Sequence, residues 1–171
     1  MDLELVEFGA LSDAHRDQLE GDEIDPFDAA GIALVYGPKE RHVALADPEG
    51  RLVASTGLIR SEVEAGGERF AVVGIGGVIV NAAHRGRGLA RRVVEAALER
   101  AAAMGPERAV LFCHADRAGL YERLGFALVD GPVRVRQPNE YAVMPQLTMW
   151  RPLRPGVGWP DGPVVVRTLP F

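Results

Sequence analysis

Cysteine is almost missing from this chain: Cys113 is the sole thiol among 171 residues. An internal disulfide framework is therefore excluded, and the composition suits a reducing cytoplasm. Long apolar runs are missing as well. None reaches the roughly 20 residues a membrane span needs, and no signal peptide precedes the first strand, so a cytoplasmic protein without a membrane partner is expected. A basic surplus is also lacking. The formal charge is −5, which argues against nucleic acid as a partner. Serine occurs three times, never within Gly-x-Ser-x-Gly, which excludes a nucleophile elbow. Neither a Gly-x-x-x-x-Gly-Lys-Ser/Thr loop nor a full dinucleotide fingerprint is present; Gly74-x-Gly76-x-x-Ile79 lacks the third small residue. His15, His42 and His84 show no metal-ligand spacing, and one cysteine builds no zinc site, so no metal is expected.

What is present reads as a globular chain. Hydrophobic residues make up 47% and charged residues 25%, and the length suits one domain over residues 1–171 with a proper core. Leu3, Leu5 and Phe8 alternate with acidic residues as a half-buried strand, and Ser12 or Asp13 caps a helix through Glu20. An acidic loop follows, Glu23-Ile24-Asp25-Pro26-Phe27-Asp28. Arg41 to Asp47, Arg51 to Glu64 and Arg69 to Val80 read as three strands joined by tight turns, an antiparallel meander. Gly74, Gly76 and Gly77 invite a bulge in the third. Arg108 to Ala115 reads as a buried strand, with a short helix from Asp116 to Leu124 closed by Gly125. Phe126 to Asp130 and Val133 to Gln137 read as one interrupted strand, and Met144 to Trp150 as the last. Eight of the twelve prolines fall in the final forty-one residues. The extension 138–171 nevertheless ends in apolar residues, so it is expected to pack on the body, line the cleft or cross to a partner in a homodimer.

The chemistry concentrates between Val78 and Leu98. A β-branched strand breaks at Arg85-Gly86-Arg87-Gly88-Leu89-Ala90, and a helix continues with Val93, Val94, Ala97, Leu98 and Ala101 on one face, stopped by Gly105-Pro106. Amides of the first helical turn have no carbonyl partner, and the helix dipole adds positive charge there. Two glycines let the main chain approach a ligand. Arg85, Arg87, Arg91 and Arg92 surround that point. This is a site for a phosphate-bearing ligand.

Arg85-x-x-Gly88-x-Ala90 resembles the pyrophosphate-binding signature of the GNAT superfamily of acyl-CoA N-acyltransferases. Leu120-Tyr121-x-x-x-Gly125-Phe126 is similar to that superfamily's downstream segment. The pair spans residues 70–130. The resemblance implies an α/β fold with a mixed, mostly antiparallel sheet splayed at its centre and flanked by helices, the strands beside the phosphate helix being locally parallel. It implies acetyl-CoA as cosubstrate, with the phosphates at Arg85, Gly86, Arg87, Gly88, Leu89, Ala90 and Arg91. The pantetheine arm would lie along Val78, Ile79 and Val80, with His114 as a possible further donor. Tyr121 would sit beside the thioester sulfur as the acid that protonates the leaving thiolate, and the amide of Val78 or a neighbour would polarise the carbonyl. Many relatives carry a glutamate on the splayed strand, where this chain has Gly76 and Gly77. The base is left open among Glu23, Asp25, Asp28, water, or an acceptor arriving deprotonated. Glu23, Asp25, Phe27 and Asp28 also border the place where relatives bind the acceptor. The implied function is transfer of an acetyl group to a primary amine of a small molecule or peptide by direct attack; the alternative is an acyl-CoA-binding module without turnover. Leu111-Phe112-Cys113 and the aromatic end resemble the aminoglycoside 2′-N-acetyltransferase branch.

Overall fold

A computed structural model describes residues 2–171. Its first half is β1 (Glu4–Phe8), α1 (Asp13–Glu20), β2 (Arg41–Ala46), β3 (Leu52–Ala65), β4 (Glu68–Val80) and α2 (Leu89–Ala102). The second half is β5 (Arg108–Cys113), α3 (Ala118–Arg123), β6 (Ala127–Leu128), β7 (Val133–Arg136), β8 (Tyr141–Val143), β9 (Leu147–Pro152) and β10 (Val164–Val166). The strands form one sheet in the order β6-β9-β5-β4-β3-β10-β7-β8, while β2, followed by β1, pairs with the other half of β3. Among the described residues only β4–β5 and β7–β10 are parallel. The mixed, mostly antiparallel fold class and the locally parallel pair around α2 stand as expected. No helix among the described residues is long and apolar enough to cross a membrane.

Strand alternation assigns the two faces. Val43, Leu45, Val73, Ile75, Leu111 and Cys113 meet the buried stripe of α2, with Tyr121 and Phe126 beyond it. On the opposite face Ala44, Ala46 and Ile79 meet Leu19 of α1, whose N-terminus Ser12 caps by accepting from the His15 amide. Further along that face Val63, Val72 and Val110 pack on Val133, Val135, Val164, Val166 and Phe171. The curled sheet wraps this second core.

Three readings of the sequence are corrected. Leu5 is 49% exposed: it faces the α2 side at the edge strand, while Val6 and Phe8 turn to the α1 side and pack there. Phe126 to Gln137 is not one interrupted strand. Gly131, at a φ of 74°, lets the chain leave the β9 edge, so β6 and β7 pair with different strands. Nor is 144–150 the last strand; Val164–Val166 is, pairing with both β3 and β7. The tail thus joins the sheet of its own chain and brings Phe171 onto β4.

That contact explains Gly74. A Cβ there would lie 2.6 Å from the Phe171 ring, which itself stacks on Phe112 with centroids 4.9 Å apart. Gly74→Val therefore overpacks a rigid aromatic pair, at about 1–3 kcal/mol. Thermal unfolding should show Tm lowered by several degrees. Adding Phe171→Ala should relieve part of that loss, so that the double variant falls short of the sum of the singles.

Candidate functional site

The expected bulge and splay are both present, and glycine sets each. The β3–β4 register slips between Ser55↔Ile79 and Gly57↔Gly76, so two residues of β4, Gly77 and Val78, stand opposite Thr56 alone. Gly77 takes the extra turn at a φ of 63°, a conformation that favours glycine. On its other side β4 pairs with β5 only over Val73–Ile75. Beyond Ile75 the strands part, leaving the main chain of Gly76 to Val80 free of β5. Val78, Ile79 and Val80 line the cleft of about 700 Å³ that opens there.

At one end of the cleft α2 begins. Gly88 is its N-cap in the left-handed region, with no side chain capping it. The amides from Gly86 to Arg91 find no backbone acceptor among the described residues; the first helical bond runs from the Arg92 amide to the Gly88 carbonyl at 3.1 Å. Gly86, Gly88, Leu89 and Ala90 line the cleft with Arg85. The Arg85 guanidinium is held from both sides, donating to the Val80 carbonyl at 3.2 Å and pairing with Glu23. Arg87 is exposed and makes no ion pair among the described residues. Arg91 turns along the helix to Glu95 at 2.9 Å and Arg92 to the Leu3 carbonyl at 3.1 Å.

Tyr121 reaches the same cleft from α3 while its ring packs edge-on against Phe126. It is 6% exposed, and burial pushes its phenol up to about 12. Neighbouring Cys113 is pushed up to about 11, also chiefly by burial, and its thiol faces the Met149 sulfur at 3.7 Å. It is a core thiol, not a nucleophile. His114, on the opposite face of the strand, donates from Nε2 to the Asp28 carbonyl at 2.7 Å.

The acidic loop divides. Phe27 and Asp28 line the cleft. Asp25 instead folds back on its own loop, accepting from the Ala29 and Ala30 amides at 2.8 and 2.9 Å. Those two bonds hold its carboxyl below the usual range. Glu23, paired with Arg85, is a strut between this loop and the turn before α2.

Cross-strand register identifies the residues that sequence reading missed. His42 pairs with Gly57 and Gly57 with Gly76, so the three project from the same face, opposite α2. His42, Lys39 and Phe171 all border the cleft there. The His42 imidazole lies below its ordinary pKa, first through burial and then through the charges of Lys39 and Arg16. Spacing alone gave no sign of His42, because the signal is its register against two glycines on other strands.

A family model described as an acetyltransferase (GNAT) domain matches residues 25–129. None of the curated proteins compared with the sequence matches it. Among solved structures, a GNAT family N-acetyltransferase of Escherichia coli in complex with CoA is 23% identical over 98% of this chain and 92% of its own, with a TM-score of 0.61. Escherichia coli ElaA is 20% identical over 88% of this chain and 99% of its own, with a TM-score of 0.59. A GNAT superfamily phosphinothricin acetyltransferase of Sinorhizobium meliloti, in complex with AcCoA, is 17% identical over 92% and 94%, with a TM-score of 0.57. At these identities the likeness is one of fold. The resemblance to the aminoglycoside branch gains no support from them.

Proposed function

We propose that this chain, which belongs to the GNAT acetyltransferase family, moves an acetyl group from acetyl-CoA to a primary amine by direct attack within the splay. The reading takes residues 1–171 as one catalytic domain working in the cytoplasm. The observation that carries it is the continuity of one cleft, from the free amides at the start of α2, past Tyr121, to the opposite face of the sheet. Acetyl-CoA supplies an activated acyl thioester. The amides around Gly86 to Ala90 bind its diphosphate, with Arg87 as a peripheral cation and Arg85 orienting the turn. The main chain of Val78 to Val80 orients the amide-rich arm, and the Val78 amide faces the carbonyl oxygen. Tyr121 holds the proton that the departing thiolate requires.

The amine enters from the face carrying His42. With its pKa lowered, that imidazole is neutral at pH 7 and accepts the proton the amine must lose, directly or through water. Protonation removes this capacity as pH falls. The kcat/KM profile should therefore show an acid limb centred below 6.5, the ordinary histidine value, and His42→Gln should abolish that limb. The reading as a whole is tested by free thiol released from acetyl-CoA with a panel of primary amines. Amine-dependent release supports transfer. Tight CoA binding with no release across the panel favours a binding module.

A further inference from the structure

Residues 21–40 connect α1 to β2 without a helix or strand of their own. Connections this long are uncommon in a compact domain, and the ordered ones commonly cover or line a site. This one is tied down along its length. The His114 ring, at the end of β5, bonds the Asp28 carbonyl at 2.7 Å. Gln137 clamps Val35, its Oε1 accepting from the Val35 amide at 2.8 Å and its Nε2 donating to the Val35 carbonyl at 3.0 Å. The Tyr36 hydroxyl donates to Gln146 Oε1 at 3.0 Å, and the Gly37 amide to the Pro170 carbonyl at 2.8 Å. Gln146 directly precedes Leu147, the β9 partner of Cys113, so the tethers at Asp28 and Tyr36 both reach the end of the β5–β9 pair. Around and between those tethers Phe27, Ile32 and Tyr36 border the cleft.

What this wall offers a ligand is apolar. The chain has two Trp, three Tyr and six Phe, and among the described residues only Phe27 and Tyr36 of these stand exposed, at 43% and 36%. Both belong to this connection and both border the cleft. Exposed rings gathered at a concave site, rather than scattered over the surface, mark area left for a ligand. Phe112, on the sheet face away from α2, borders the same cleft. The wall's polar groups already have partners: the Tyr36 hydroxyl has Gln146, Asp25 its own loop and Glu23 the Arg85 guanidinium. The Asp28 carboxylate lies 3.9 Å from His114 Nε2. Glu20, without an ion pair among the described residues, borders the cleft at its α1 end, where Gly21 lies beside Asn81. Over Gly76 the main chain of Phe171 and the Lys39 stem fill the space a Cβ would need, so that point is taken.

We propose that the acceptor is a small primary amine on an aromatic body, an arylalkylamine, whose ring packs against Phe27 and Tyr36 while its nitrogen reaches the bulge. The inference rests on the acetyl-transfer reading. Aromatic rings pack edge-on or offset against one another and gain more than their buried area alone supplies. A charged or hydroxylated body would lose water against these rings without a new partner. The cleft of about 700 Å³ must also take the acyl-bearing arm, which leaves room for a small molecule.

The test compares phenethylamine with ethanolamine, primary amines of similar basicity that differ in a ring and a hydroxyl, in thiol release from acetyl-CoA. The native protein should prefer phenethylamine by about tenfold or more in kcat/KM, the factor that burying one ring supplies. In Phe27→Ala that ratio should fall towards one, chiefly through KM for phenethylamine, and Phe27→Leu should restore part of it. Phe27 is exposed, so its truncation leaves the core intact; calorimetry with CoA, expected to be the same in all three proteins, shows that they are folded. A native ratio near or below one, turnover confined to diamines or peptides in a wider panel, or a ratio that Phe27→Ala leaves unchanged overturns the proposal. Should CoA bind and no amine react, transfer itself fails; the ring site is then read by calorimetric binding of the same two amines to the CoA complex, and no preference for phenethylamine overturns it.

Discussion

Tyr121→Phe is expected to lower kcat by about 10²–10⁴-fold, the range of a positioned general acid, while CoA affinity and Tm stay near native values. The phenol is the best proton donor on the cleft because its burial works in one direction. Desolvation penalises the phenolate and raises the pKa to about 12, so the hydroxyl remains protonated across the working range. Phenylalanine keeps the ring and its edge-on contact with Phe126, and loses only the hydroxyl. The pH profile separates this role from packing. With the acid titrating at about 12, native kcat should show no alkaline limb from this group below pH 10, and the variant should be uniformly slow. Steady-state kinetics beside calorimetry measure both quantities. Full activity in the variant would remove Tyr121 from the reaction.

Gly88→Val should weaken CoA binding by roughly 10²–10⁴-fold. The residue sits at a φ of 72°, which valine adopts only under strain. Forcing it out of the left-handed region turns the amides that follow away from a common point. Hydrogen bonds to charged groups contribute about 1.5–3 kcal/mol each, so misdirecting two amides costs about 3–6 kcal/mol, which sets the expected range. The helix itself should survive, because Val93, Val94, Ala97 and Ala101 still bury the same stripe. Titration of the variant with CoA, with circular dichroism as the control for helix content, checks the claim. Undiminished affinity would show that the turn does not hold the ligand.

The half of the site nearest α2 was legible because its chemistry is local. Glycines at 86 and 88, the arginines beside them and an apolar stripe of period 3.6 lie within twenty residues, and backbone physics alone leaves the amides of that turn without partners. The bulge was legible for the same reason, from Gly74, Gly76 and Gly77. Other features depended on distant pairings. Lys39 is placed only by Gly57 and Gly76, on two other strands, and His42 gains its meaning only from its register with Gly57. The fate of Asp25 and Glu23 was hidden as well: nothing in an acidic loop says which carboxylate will cap its own backbone and which will hold Arg85. The apolar residues of the tail were legible, yet Val164–Val166 as a strand between β3 and β7 follows only from the curl of the sheet. Leu5 shows the converse failure, where an apolar residue in good alternation lands on an edge that no helix covers.

The account depends on a diphosphate-bearing carrier docking at the start of α2. Calorimetric titration of the protein with coenzyme A at modest ionic strength tests this most directly. Saturable binding, weakening as salt is added and lost in Gly88→Val, is the predicted result. No heat of binding at millimolar CoA would contradict it.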